Sequence, residues 1–306
     1  MTTLCQRMIQ RLPLVLVLMF CMTSCLVSNS AELELKIELN KPSYLESEPI
    51  LLVISIKNNG NLPIDVAEPL VREGFITLVL FTDQGSEPKI PALSWDLAMP
   101  SSDYKVCLQP NGVLKSEWSL TERYPLGLPI GAYVLKCSYN TKRFLSQYPN
   151  IWHGILTQEI TLSVAEPSPD EKEAYMLLRK AQAIITENEK DRYPEARESL
   201  IALAKKHPNS VYTPYSIYLL AKNYSVMQSD KTQYFNQAIP YYRSFLEKYP
   251  KYPYYSRLIG SIELPFALYS VGETNEAREI LENSLDGLHK QRLMQLINKN
   301  KQGLAK

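Results

Sequence analysis

Apolar and polar residues alternate one by one along several segments of the first half of the chain. Alternation with period two is typical of a strand that buries one face. Alternation predicts strands at 33–39, 113–120, 131–139 and 155–164, and runs of apolar or β-branched residues predict strands at 50–57 and 75–81. Turn residues such as Asn58-Asn59-Gly60-Asn61 separate them. Short strands punctuated by turns favour two packed antiparallel sheets.

The apolar period becomes helical after residue 170. Pro167 and Pro169 suit neither a helix interior nor a strand ladder, and they mark a linker at 167–170. Apolar residues then recur at intervals of three and four, as on one face of a helix. Helices are predicted at 171–189, 193–207, 213–227, 232–248, 254–271 and 275–291. The pattern therefore predicts a multidomain β + α protein: a β-sandwich at 32–166, helices at 171–291, and a tail at 292–306.

The first 31 residues have the three-part layout of a secretory signal. Arg7 and Arg11 precede a short apolar core at 12–20, and small or polar residues follow it. The apolar core is shorter than the roughly 20 residues that span a bilayer. The layout predicts an exported protein, with cleavage near Ser30 or Ala31 and an uncleaved anchor as two alternatives to lipid attachment.

Lipid attachment is suggested by the sequence that closes this segment. Met22-Thr23-Ser24-Cys25 resembles the lipobox of bacterial lipoproteins, although Leu is usual where Met22 stands. The resemblance implies that residues 1–25 carry a lipoprotein signal and that Cys25 becomes the acylated N-terminus. The protein would then face the periplasm or the cell exterior. Leu26, in place of the Asp that often retains such proteins at the inner membrane, favours the outer membrane.

Three motifs in the strand-rich half resemble those of bacterial immunoglobulin-like domains, including the proteinase-inhibitor-like group. They are Tyr44-x-x-x-Glu48-Pro49-Ile50, the run at 54–59, and Gly131-x-Tyr133-x-Leu135. The resemblance implies an immunoglobulin-like antiparallel β-sandwich and says little about function. The segment 84–112 is richer in Pro, Ser and polar residues, and we interpret it as a long loop or decorated edge of the kind that often carries binding.

The helical half carries an internal repeat. Ala196, Ala238 and Ala277 each lie early in the second helix of a hairpin, and Pro208 and Pro250 follow the first two by twelve residues. This pattern resembles the tetratricopeptide repeat and implies a solenoid of about three hairpins. The alanines are 42 and 39 residues apart, whereas the repeat has about 34. A further departure is Pro265, which falls at a small-residue position and would kink its helix.

The repeat resemblance also implies a concave groove lined by the first helix of each hairpin. Six residues project onto that face: Tyr215, Tyr218 and Lys222 in the second hairpin, and Ile262, Phe266 and Tyr269 in the third. We expect them to bind an extended or helical peptide, with the tyrosines as rigid contacts. The alternative is that the tyrosines pack between hairpins, since amphipathic aromatic side chains favour half-buried positions.

Charge and composition argue against several classes of function. The net charge is +1 and no basic stripe occurs, so a nucleic-acid partner is not expected. The three histidines are scattered, and no catalytic or phosphate-binding motif is present. No spacing suggests a metal site, and no cofactor is predicted. Once the signal and Cys25 are set aside, Cys107 and Cys137 remain, as one disulfide or as two buried thiols.

The sequence therefore predicts a non-enzymatic interaction or scaffold protein of the bacterial cell envelope. Cys25 would hold it at the membrane, and the helical groove would bind a protein or peptide. In one alternative, the sandwich is the ligand-binding or protease-inhibitor-like module, acting through 84–112, and the repeats are only an assembly scaffold. In a second alternative the chain is a hydrolase that depends on His153.

Overall fold

The computed structural model of the chain describes residues 33–69, 74–87, 105–226, 231–250, 252, 255 and 258–283. Strands occupy the first part of this range and helices the second. We refer to residues 33–165 as the β module and to residues 172–283 as the helical module. Cys25, the signal segment and the tail at 292–306 lie outside the described residues.

The described residues of the β module form nine strands. Their bounds are β1 Leu33–Leu39, β2 Ser43–Leu45, β3 Leu51–Asn58, β4 Ile64–Ala67, β5 Ile76–Thr82, β6 Lys105–Leu108, β7 Val113–Ser119, β8 Gly131–Asn140 and β9 Ile155–Ala165. The six predicted strands are confirmed to within a residue at each end. Of the two interpretations of 84–112, a long loop or a decorated edge, the loop is wrong at β6, which pairs antiparallel with β4.

The strands form three sheets, with orders β1-β3-β7, β2-β9-β8-β5 and β4-β6. All pairings are antiparallel except that of β2 with β9. The inward-facing residues of the two larger sheets share one hydrophobic core, to which Ile37, Ile54, Leu78 and Leu135 all belong. Each is almost fully buried, as expected for the apolar positions of alternating strands.

The strand register defines two ends of the β module. Leu33 pairs with Asn58 and Asn140 pairs with Ile155. The backbone N–H of Ile37 donates to Gln158 Oε1 at 2.6 Å, and further along both segments Ser43 pairs in parallel with Ser163. Strands β1 and β9 therefore lie side by side and run in the same direction. We call the end at which β1, β7 and β9 begin the leading end. The opposite end, where β1, β7 and β9 finish, is the helix-side end.

Six helices are seen in the described part of the helical module. They are α1 Lys172–Thr186, α2 Tyr193–Lys206, α3 Thr213–Val226, α4 Lys231–Lys248, α5 Leu264–Ser270 and α6 Thr274–Asn283. All six match predicted helices. The predicted continuation of the last helix to residue 291 lies outside the described residues. No helix in the part of the chain that the structure describes is both long and apolar enough to cross a membrane.

The fifth predicted helix contains a π-helical turn beside its proline. This turn, at Ile259–Glu263, leads directly into α5, and Pro265 stands in the first turn of α5. The backbone stays helical at Glu263 and Leu264, and the Leu264 N–H bonds to the Ile259 carbonyl, so the helix continues through the turn. The irregularity expected from Pro265 is therefore a π turn within a continuous helix.

Small residues allow successive helices to approach closely. Ala196, Ala238 and Ala277 are fully buried, and so is Ala221 in α3. Each helix packs against the next one along the chain. The residue four positions after each of the first three alanines is fully buried as well, and these residues are Leu200, Tyr242 and Leu281. The packing thus follows the repeated pattern of the sequence.

Candidate functional site

The two modules meet at the helix-side end of the β module, through the turn between β2 and β3. The Tyr175 hydroxyl on α1 donates to the Glu46 carboxylate at 2.8 Å. The Tyr212 hydroxyl, just before α3, donates to the Glu46 backbone carbonyl at 2.9 Å. The Arg179 guanidinium donates to the backbone carbonyl of Leu126, in the β7–β8 connection. Helix α1, through Tyr175, and the segment before α3, through Tyr212, therefore both bind Glu46 of the β module.

An apolar contact accompanies these hydrogen bonds. Leu51, the first residue of β3, is buried in the hydrophobic core of the helical module. Its neighbour across the β3–β7 ladder is Ser119. The Ser119 hydroxyl lies 3.2 Å from the Tyr255 hydroxyl, in a buried position. We call the contacts of Glu46, Leu51, Ser119 and Leu126 with the helical module the module interface.

The β2–β3 turn is itself rigidly held. Ser47 has a positive φ of 65° and is buried. Its hydroxyl donates to the Leu126 carbonyl at 3.2 Å. Gly127 packs so closely that a Cβ atom there would lie 2.6 Å from Ser47 Cα. The buried Glu48 carboxylate forms an ion pair with Lys41 at 2.6 Å. The turn therefore presents Glu46 to the helices in one fixed position.

Burial changes the acidity of the interface tyrosines. Burial and, to a smaller extent, the hydrogen bond to Glu46 together raise the pKa of Tyr175 to about 12. Burial also raises the pKa of Tyr212 and of Tyr215. A phenol with a raised pKa stays neutral and remains a hydrogen-bond donor, which the Glu46 contacts require.

Tyr215 and Tyr218, the first two predicted groove residues, are not accessible to a partner. They are only 5% and 3% exposed. Their rings lie 5.6 Å and 4.7 Å from the ring of Tyr255, between centroids. The groove assignment is therefore corrected for these two residues, and packing is the role that their burial supports. The physical reason is that Tyr255, which precedes the π-helical turn, fills the space beside α3.

Three of the other predicted groove residues are more accessible. Lys222 is half-buried, and its ammonium donates to the Tyr218 hydroxyl at 3.2 Å. Phe266 on α5 is 42% exposed, with its ring 5.6 Å from that of Phe235 in an edge-on arrangement. Tyr269 is half-buried and lies one turn further along α5. The side chain of Ile262 lies outside the described residues. We call Phe266 and Tyr269 the α5 aromatic pair.

Sequence reasoning missed the residues that join the two modules. Glu46, Tyr175, Tyr212 and Tyr255 received no role, because they belong to elements far apart along the chain. The abundance of tyrosine, at 20 residues, was a signal of extensive aromatic packing. It could not distinguish packing within the helices from packing against the strands.

The structure separates the two cysteines that were considered for a disulfide. Cys137 is buried on β8, whereas Cys107 is exposed on β6, and both are free thiols. Of the two alternatives left open by the sequence, the disulfide is therefore not formed in this structure, and that of two buried thiols holds for Cys137 only. Cys107 lies opposite Asp65 in the β4–β6 ladder, while Cys137 points into the core. Burial raises the pKa of Cys137 to about 12.

The histidines occupy separate surroundings. His153 Nδ1 lies 3.4 Å from the Thr141 carbonyl in the β8–β9 connection. His207 Nε2 lies 3.4 Å from the Glu173 carboxylate at the end of α2. In the parts of the chain that the structure covers, no group of three or more His, Cys, Asp or Glu residues is arranged to hold a metal ion.

Comparison with known proteins adds little to this geometry. No protein-family model matches the chain, and no curated protein does. A sporulation control protein, Spo0M from Bacillus subtilis, is similar over 49% of this chain and 56% of its own, with 14% identity and a TM-score of 0.27. A β-glucosidase from Listeria innocua is similar over 44% and 16%, with 14% identity and a TM-score of 0.25.

A third similar structure is the CARDB domain of the PF1109 protein from Pyrococcus furiosus. It matches 45% of this chain and 96% of its own, with 13% identity and a TM-score of 0.24. The chain spans about half of Spo0M. Structural similarities with TM-scores this low give no information about function. The candidate site is therefore inferred from the contacts within the chain itself.

Proposed function

We propose that the chain is a non-enzymatic binding or scaffold protein of the bacterial cell envelope. In this proposal it is exported, held at a membrane by lipid on Cys25, and built from an immunoglobulin-like sandwich and tetratricopeptide-type hairpins. The lipobox-like sequence and the repeated alanines support it. The antiparallel sheets followed by six helices in the described residues are compatible with both domain types.

The observation that carries the proposal is the α5 aromatic pair. Large aromatic side chains are usually buried, because covering them with protein removes apolar area from water. Phe266 is 42% exposed on the first helix of the third hairpin. The ring of Phe235 supports it from the side, so it is held in place rather than loose. A rigid, exposed aromatic residue is typical of a contact that a partner completes.

The partner that fits this surface is a protein or peptide that presents an apolar side chain. Phe266 offers a ring face or edge, and Tyr269 on the next turn offers a ring with a hydroxyl. Helix-spaced anchors of this kind suit an amphipathic helix or an extended peptide. Lys222, half-buried on α3, adds a positive charge to the first-helix side.

Photo-crosslinking in cells tests this proposal. A photoreactive amino acid replaces Phe266 in one strain and Ile130 in another, and the attached species are identified by mass spectrometry. Ile130 is a matched control, because it is an exposed apolar residue of the β module. We expect one dominant polypeptide at position 266 that is absent at position 130. Equal adducts at both positions, or none at 266, would contradict the proposal.

One observation favours the second candidate, in which the β module binds the ligand and the helices are scaffold. Two of the six predicted groove residues are used for packing, which reduces the helical surface left for a partner. The described residues nearest to the 88–104 segment include Glu87, which is exposed. A dominant polypeptide captured by a photoreactive residue at Glu87, with none at Phe266, would transfer the binding function to the β module.

A further inference from the structure

Four large apolar side chains are exposed at the leading end of the β module. Leu62, Val113, Leu145 and Ile155 are each between 47% and 56% exposed. Val113 begins β7 and Ile155 begins β9. Leu62 lies in the β3–β4 loop, and Leu145 lies in the β8–β9 loop. An isolated exposed leucine needs no explanation, but four large apolar side chains exposed at the same end of a module form an apolar surface that does.

The rest of the β module does not show this feature. Ile130 is the one further large apolar side chain exposed within the described residues of the module. It precedes β8 and therefore lies near the helix-side end. The outward positions of β1 are instead Glu34, Lys36 and Glu38, all exposed and charged. Exposed apolar residues are thus concentrated at one end.

Three loops of the leading end lack acidic residues. Loops 59–63, 109–112 and 141–154 contain no Asp or Glu, whereas the last contains Lys142 and Arg143. The chain between β4 and β5, which enters β5 at this end, contains Glu68 and Glu73. Both of these basic side chains are exposed. The Arg143 guanidinium lies 4.9 Å from the centre of the Phe144 ring. This contact keeps its positive charge beside the β8–β9 loop.

The described acidic side chains near this end are hydrogen-bonded, paired with a basic residue or partly buried. Glu34 accepts a hydrogen bond from Asn59 at 2.8 Å, and Asp65 forms an ion pair with Lys105 at 2.7 Å. Glu68 is half-buried. The accessible charge of the three loops is therefore positive.

The β8–β9 loop adds aromatic residues of the type found at membrane interfaces. Tyr148 and Trp152 are half-buried in it, and Trp152 stacks on Tyr139 with 5.9 Å between ring centres. Amphipathic aromatic residues favour the headgroup region of a bilayer, where one side of the ring is apolar and the other is wet. Leucine, basic and aromatic residues together are typical of a segment that contacts a lipid surface.

The place at which the chain enters the β module points to the same surface. Strand β1 begins with Leu33 at the leading end, and seven residues separate it from Cys25. A chain of that length spans at most about 25 Å when fully extended. An acyl group on Cys25 would therefore keep the leading end, rather than the helix-side end, close to the bilayer.

We propose that the leading end is a bilayer-contact face. Leu145 and Ile155, with Leu62 and Val113, enter the headgroup region, and Lys142 and Arg143 lie against anionic phosphates. The inference rests on the proposed lipid anchor at Cys25, because the short tether makes this contact intramolecular and therefore continuous. The helical module joins the opposite end of the β module and is held away from the lipid.

A fluorescent probe tests this contact in the full chain. The protein is purified from the envelope fraction and reconstituted into vesicles of phosphatidylethanolamine with phosphatidylglycerol as the minor component. A small environment-sensitive fluorescent amino acid replaces Leu145, or Ile130 as the control. Lipids that carry a quencher just below the headgroup are then added to the vesicles. Mass spectrometry of the same preparation reports whether Cys25 is acylated.

The expected result is a loss of roughly half of the emission at position 145 and little loss at 130, since an interfacial residue lies ~5–10 Å within the boundary region. Replacing phosphatidylglycerol by phosphatidylcholine should reduce the quenching, because Lys142 and Arg143 then lose their anionic partners. The substitution Ile155→Glu should reduce it as well, whereas Met176→Glu in the helical module should not.

The outcomes separate the two proposals. Acylated Cys25 with no quenching at 145 would overturn the bilayer-contact face and leave the lipid anchor in place. Quenching at 145 without acylation would support the face and remove the anchor. A protein captured at position 145 by a photoreactive residue in cells, in place of lipid, would overturn the inference in favour of a protein partner.

Discussion

At the scale of single residues, tyrosine illustrates what a sequence can and cannot assign. Tyr215 and Tyr218 were correctly placed on one helix face, because helical periodicity fixes which residues share a face. Their role was not determined, since an amphipathic aromatic residue suits a binding surface and a packed seam equally well. Both tyrosines are buried against Tyr255, which assigns them to packing, whereas Phe266 remains exposed.

Replacing tyrosine and phenylalanine by alanine should therefore have opposite effects on stability and binding. We expect Tyr218→Ala to lower the free energy of unfolding by about 3–5 kcal/mol, because it removes a buried aromatic ring. Phe266→Ala should lower it by less than about 1 kcal/mol and should instead abolish partner capture by a photoreactive residue placed at Tyr269. Urea unfolding followed by circular dichroism measures the two stabilities. An unchanged stability in Tyr218→Ala would contradict the packing role.

The two cysteines should differ sharply in reactivity. A thiol reacts as the thiolate, and burial raises the pKa of Cys137 to about 12, so both access and ionisation protect it. Cys107 is exposed and should be labelled by a water-soluble maleimide in the folded protein. Cys137 should be labelled only in denaturant. Peptide mapping distinguishes the sites, and labelling of Cys137 at the same rate as Cys107 would refute its burial.

At the scale of elements, long periodic segments were predictable and short ones were not. The six strands of seven residues or more and the six helices were read from periodicity and apolar runs. Strands β2, β4 and β6 have three or four residues, which is too short for alternation to show. An irregularity in the helix near α5 was anticipated from Pro265 alone, because proline cannot donate within a helix interior, and it takes the form of the π turn at Ile259–Glu263.

The β2–β3 turn depends on a close approach that no periodicity reveals. Gly127 has a positive φ, and a Cβ atom there would collide with the backbone of Ser47. Gly85 has nearly the same φ, but a Cβ atom there would meet nothing within 4 Å. Both Gly→Ala substitutions incur the backbone strain of about 1–2 kcal/mol that a positive φ imposes on alanine. The collision applies to Gly127 alone.

We therefore expect Gly127→Ala to lower the midpoint of thermal unfolding clearly more than Gly85→Ala. Calorimetry of the two variants beside the unaltered protein gives the comparison. Equal shifts would show that the contact between Gly127 and Ser47 is not formed, and that the turn which presents Glu46 is held in some other way.

At the scale of the whole molecule, the order of the modules was predictable but their contact was not. Glu46 and Tyr175 are 129 residues apart, and no local pattern links them. The strand register adds a second global feature. It places the entry of the chain at one end of the β module and the module interface at the other, so the three proposed parts follow one another along a line: membrane contact, sandwich and helical binding surface.

The module interface should hold the β module and the helical module together as one body. Cleavage at the linker tests this, because Ser168 and Pro169 are exposed there. A site for a specific protease is inserted between them in the full chain, which is then cleaved and passed over a gel-filtration column. We predict that the two fragments elute together, and that adding Leu51→Asp to the same chain separates them. The substitution Leu145→Asp at the leading end should leave them together. Separation of the fragments without any further substitution would contradict the claim.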